Sequence, residues 1–187
     1  MDFYNRERVN YHNLNSVAKK NGVVLIGSTF AKEIPVCELR QTFHMDCDIY
    51  NRSYTDLSVY DAKELITECI HELQPQRILL NLGETDLERG FHSIQDIISQ
   101  YEVLISDLRK TYPGCQFVIV SLCGSEYVKE PAVFNHQLET LAHKLKCQFA
   151  DIATAKFSPS PSIKAFDILR FFMLDQFTLS DVLLANA

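Results

Sequence analysis

The stretch Val23-Val24-Leu25-Ile26-Gly27-Ser28-Thr29 sets four consecutive apolar residues ahead of a glycine and two hydroxyl side chains. A short unbroken apolar run that ends in a turn reads as a strand buried on both faces. The same pattern returns at Cys47 to Asn51, Arg77 to Leu82, Cys115 to Ser121 and Gln148 to Ile152. Between these runs the period changes. Ile94, Ile97, Ile98, Tyr101, Ile105, Leu108 and Tyr112 recur at spacings of three and four, which lines one face of a long helix. Val59 to Leu73 and Phe134 to Leu145 carry two further faces of this kind, with Pro75 and Pro113-Gly114 stopping the helices that precede them. Strands alternating with helices predict a three-layer, doubly wound, five-stranded parallel α/β sheet.

Outside that frame the signals are shorter. Phe30 to Phe43 reads as a helix interrupted by Pro35, and Ile163 to Leu174 as a short helix after the loop Ser158-Pro159-Ser160-Pro161. Arg6 to Lys20 reads as a helix or ordered arm ending at Asn21-Gly22, so one domain over 1–187 carries an N-terminal helical arm at about 1–21. No internal repeat or domain linker interrupts it.

Composition narrows the function classes. A net charge of −6 over 187 residues, with Lys19-Lys20 the densest basic point, offers no field for a phosphate backbone and argues against nucleic acid as a partner. The longest apolar runs fall far short of the roughly 20 residues of a membrane helix, and the first residues, Met1 to Arg6, do not read as a signal peptide. Together with six cysteines in no CxxC spacing, expected as reduced thiols, this predicts a cytoplasmic protein. The isolated histidines His12, His44, His71, His136 and His143 have no metal-ligand spacing, and no glycine-rich phosphate loop is present, so no cofactor is expected.

In a doubly wound sheet the ligand lies beyond the carboxyl ends of the strands. Four segments reach that edge or lead to the last helix: Gly27-Ser28-Thr29, Asn51-Arg52-Ser53-Tyr54-Thr55-Asp56, Leu82-Gly83-Glu84-Thr85-Asp86, and Asp175-Gln176-Phe177-Thr178-Leu179-Ser180. In order and spacing they resemble the G-D-S, N-R-G-x-S-G, L-G-x-N-D and D-x-x-H-L-S blocks of the SGNH (GDSL-type) hydrolases, a flavodoxin-like fold. The arm before the first strand resembles the platelet-activating-factor acetylhydrolase branch. The resemblance implies a serine nucleophile, a glycine amide and an asparagine amide as oxyanion donors, and a histidine base oriented by an aspartate. Carried over position by position, these roles fall on Thr29, Ser53, Thr85, Thr178 and Asp175, and only Asp175 keeps the family residue.

The substitutions differ in weight. Ser53 still has a backbone N–H. Thr85 keeps a hydroxyl shorter than an amide, and a misplaced oxyanion donor costs roughly 10²- to 10³-fold. Thr29 keeps an oxygen but adds a methyl group beside it. Thr178 has no useful basicity near neutral pH, and loss of a triad member costs about 10⁴- to 10⁶-fold. Asp86 is expected to bind the amides of its own loop. The sequence therefore predicts a pseudo-hydrolase that binds a small ester-like or carbohydrate ligand, or a protein partner. The alternative is a weak or rewired carboxyl-ester hydrolase using Ser28 or Thr29, with His92 as the substitute base for Ser28. A purely structural role, with Phe171, Phe172 or Phe177 filling the pocket and a homodimer or partner face elsewhere, is the third reading.

Overall fold

A computed structural model describes residues 4–124, 128 and 130–174. Its centre is a five-stranded, all-parallel sheet in the order β2-β1-β3-β4-β5, built from β1 (Val23–Gly27), β2 (Ile49–Asn51), β3 (Arg77–Asn81), β4 (Gln116–Val120) and β5 (Gln148–Ala150). Each strand falls inside the run expected for it. The order in which strands are added reverses between β1 and β3, which puts the switch point of the sheet at their carboxyl ends. The register there is direct, with Gly27 opposite Asn81.

The period of two along the strands divides the core. Val24, Ile26, Ile78, Leu80, Phe117 and Ile119 face one layer, while Val23, Leu25, Leu79, Val118 and Val120 face the other. The first layer is covered by α1 (Asn5–Asn15), α4 (Ala62–Ile70), α6 (Ile94–Thr111) and α7 (Pro131–Leu145), and the second by α2 (Thr29–Lys32), α3 (Val36–Thr42) and α8 (Pro161–Leu169). Local signals explain the helix limits. Ser93 and Asp96 form a capping box that starts α6, and Pro131 sits in the first turn of α7. Pro35 separates α2 from α3, as its missing N–H requires. No helix among the described residues is long and apolar enough to cross a membrane.

One short helix, α5 (Glu84–Arg89), replaces the loop expected after β3; it is closed by Gly90 in the left-handed conformation. The N-terminal segment is a docked helix packed on α4, with Tyr11 buried in the first-layer core.

Candidate functional site

Two glycines set the shape of the carboxyl edge. A Cβ on Gly27 would come within 2.5 Å of the Ala31 Cβ and the Asn81 carbonyl oxygen, so the chain can turn into α2 this closely only without a side chain. Gly83 has a φ of +110°, and a Cβ there would overlap the Phe134 ring. These turns bring Ser28 and Thr29 beside Glu84 and Thr85.

The two hydroxyls after β1 have separate fates. Ser28 is fully buried, and its Oγ is 2.6 Å from Thr85 Oγ1, itself 3% exposed. The pair satisfies itself and is sealed from solvent. Thr29 is half-buried and turned to the β2–α4 connection, where one residue brackets it: the Asp56 amide donates to Thr29 Oγ1 at 3.1 Å, and Thr29 Oγ1 donates to Asp56 Oδ1 at 3.1 Å. Asp56 has a φ of +53°, a left-handed conformation that aspartate tolerates and glycine prefers.

Ser53 stands apart from this bracket. Its amide donates to Asn51 Oδ1, its carbonyl accepts from the Tyr11 hydroxyl, and its own Oγ is buried with no hydrogen-bond partner. The backbone N–H that reaches Thr29 belongs to Asp56, three residues on. Asp86 departs from expectation. Because it lies in the first turn of α5, its carboxylate reaches across to the Ser58 hydroxyl (2.6 Å) and the Val59 amide (2.9 Å) rather than to its own loop. It fixes the connection that carries Asp56.

His92 stacks on Tyr60 with ring centroids 4.2 Å apart and is exposed, so it is no partner for Ser28. Among the described residues no imidazole is hydrogen-bonded to Ser28 or Thr29. Asp175, Thr178 and Phe177 lie outside the described residues. Leu174, which precedes them, is at the amino-terminal edge of the sheet, where it lines a hollow of about 720 Å³ with Met173, Gly22, Val23 and Arg77. Phe172 packs on the core of the second layer, and Phe171 lies under the Arg170 guanidinium. Neither fills the edge that carries Thr29.

The electrostatics of this edge are acidic. Glu84 accepts the Phe30 amide at 3.2 Å, and burial pushes its carboxyl above the usual carboxylate range, with the negative charges of Glu88, Glu33 and Asp56 acting in the same direction. Burial also raises the Cys123 thiol, and Glu84 adds to it. An anion developing on a bound acyl group beside Thr29 would meet the Asp56 and Glu84 carboxyls. A carboxylate is moreover a far weaker base than an imidazole, so Asp56 can hold the Thr29 proton but is poorly suited to remove it. Among the described residues no group of three or more His, Cys, Asp or Glu could hold a metal ion.

Behind the site, polar side chains lock the strand ends. Asn81 donates to the Ser121 carbonyl, Ser121 Oγ to Asp151 at 2.8 Å, and Asn135 pairs with both the amide and the carbonyl of Leu122.

Solved structures share the backbone fold. A protein described as a platelet activating factor from Streptococcus pneumonia superposes with a TM-score of 0.76 over 90% of this chain and 92% of its own, at 15% sequence identity. The fold is that of the SGNH hydrolases. A GDSL-like lipase from Bacteroides thetaiotaomicron matches with a TM-score of 0.62 at 14% identity, covering 78% of this chain and 77% of the lipase. A psychrotrophic esterase from Pseudoalteromonas gives 0.62 at 11% identity, over 81% of this chain and 98% of the esterase. The sequence itself matches no protein-family model and no curated relative. The SGNH likeness is thus one of backbone and topology, and the three blocks within the described residues fall at the carboxyl edge of that fold.

Proposed function

We propose that this protein is a catalytically degenerate SGNH-fold protein that binds a small ester-like or carbohydrate ligand, or a protein partner, at the carboxyl edge of its sheet without hydrolysing it. The observation that carries the reading is the bracket on Thr29. Its hydroxyl is held by the amide and carboxylate of Asp56, with no imidazole to take its proton among the described residues. The scaffold around Thr29 supports this reading, since Gly27 and Gly83 shape the edge and Asp86 fixes the connection that carries Asp56. We place the protein in the cytoplasm on its free cysteines.

Hydrolysis of p-nitrophenyl acetate and butyrate tests the proposal. The expected rate equals the buffer control. A saturable rate that is lost in Thr29→Ala would overturn it.

A second reading, a weak carboxyl-ester hydrolase with Thr29 as nucleophile, draws on the same contact. A hydroxyl donating to a carboxylate at 3.1 Å has a proton acceptor in reach, though a poor one. Ser28 is less suited to this role, because Thr85 seals it.

A further inference from the structure

One face of α1 grips the loop that carries Asp56, a loop also tied to β1 through the Arg52 and Tyr54 amides and to Arg89, which donates to the Asp56 carbonyl at 3.4 Å. Tyr4 donates its hydroxyl to the Asp56 carbonyl at 3.1 Å, and Tyr11 donates to the Ser53 carbonyl. Asn15 Oδ1 accepts from the Arg52 guanidinium at 2.9 Å. Glu7 pairs with Lys32 at 2.6 Å, and the same ammonium donates to Thr55 Oγ1 at 2.7 Å. Tyr54, the remaining loop residue, has its ring edge-on to both Tyr4 and Tyr11, at centroid distances of 5.6 and 5.2 Å. Residues 4, 7, 11 and 15 are spaced by three, four and four, which is one stripe of a helix. Every residue from Arg52 to Asp56 is thus touched by that stripe, directly or through Lys32.

We propose that α1 is the positioning element of the site, and that Tyr4 and Tyr11 act through the 52–56 loop to hold the Asp56 amide on Thr29. The inference rests on the reading of the Thr29–Asp56 contact as the site. Asp56 is a left-handed residue midway along the connection between Asn51 and Ala62, outside any helix or strand that would fix where its N–H points. Two tyrosine hydroxyls on loop carbonyls supply that constraint from outside. Both are donors on rings packed into the protein, so they hold carbonyls at fixed places rather than following them.

Residue-resolved amide hydrogen exchange on the full chain tests this, and it needs neither a ligand nor activity, so its outcome stands apart from whether the site binds or hydrolyses anything. Tyr4→Phe and Tyr11→Phe remove one hydroxyl each and keep the rings. Exchange of the Asp56 amide should speed up roughly fivefold in each and more in the double variant, the effect of losing one hydrogen bond. The amides of Leu25 and Leu79, in the central strands, should be unchanged. Val9→Ala, on the outer face of α1, should leave Asp56 exchange unchanged. If the Asp56 amide does not respond, or if the central-strand amides speed up by the same factor, α1 contributes only general stability and the proposal fails.

Discussion

The amide and the carboxylate of Asp56 both bind the hydroxyl of Thr29, each at 3.1 Å, across 27 residues of sequence. This closed pair stands at the switch point of the sheet, where doubly wound folds bind their ligands. The donor that would favour an oxyanion is present, but the same residue carries a negative charge that would repel one.

Ser53 is separated from this pair, and its own hydroxyl makes no hydrogen bond in a fully buried place. Removing an unpaired buried oxygen relieves a desolvation cost without breaking a contact. Ser53→Ala is therefore expected to leave stability unchanged or raise it by up to about 1 kcal/mol in urea unfolding. A loss above that size would show that the hydroxyl has a partner.

Glu84 gives a pH dependence with a defined sign. Burial raises its folded-state pKa above the unfolded value, so between those two values the folded protein binds more protons than the unfolded chain. Its contribution then favours folding at low pH, and stability falls as pH rises from the ordinary glutamate value through the raised one. Glu84→Gln keeps an oxygen for the Phe30 amide and removes the titration. Thermal melts from pH 4 to 7 should show this variant gaining on the wild type as pH rises. A constant difference across the range would contradict the assignment.

Gly27 tests the packing that shapes the edge. With a Cβ 2.5 Å from both Ala31 Cβ and the Asn81 carbonyl, Gly27→Ala should force β1 away from β3 or α2. The expected loss is about 3 kcal/mol in denaturant unfolding, in line with overpacked cores. A loss below about 1 kcal/mol would mean that the turn into α2 is looser than described.

The sheet was legible because Val23 to Ile26, Ile78 to Leu80 and Phe117 to Val120 are apolar without a break, a pattern that only a two-sided burial explains. Pro35 likewise announced the division between α2 and α3. The short helix α5 was not legible, since Gly83-Glu84-Thr85-Asp86 carries loop chemistry and its six residues are held by packing rather than propensity. The site was legible by location but not by residue. Which amide of Asn51 to Asp56 turns back to Thr29 is decided by α1 and by Asp86 gripping the connection, and both contacts join residues remote in sequence. The available signal was the last glycine of the N-R-G-x-S-G pattern, which falls on Asp56, and an aspartate there reads equally well as an ordinary turn. Asp175 and Thr178 keep only what the sequence says of them.

Intact-mass analysis after incubation with a fluorophosphonate tests the central claim most directly, because that reagent reports an activated oxygen nucleophile whatever the natural ligand is. With Thr29 tied to Asp56 and Ser28 sealed by Thr85, the wild-type protein should gain no adduct beyond that of Thr29→Ala and Ser28→Ala controls. A stoichiometric adduct on the wild type that disappears in Thr29→Ala would contradict the account and show that the site is still a working esterase.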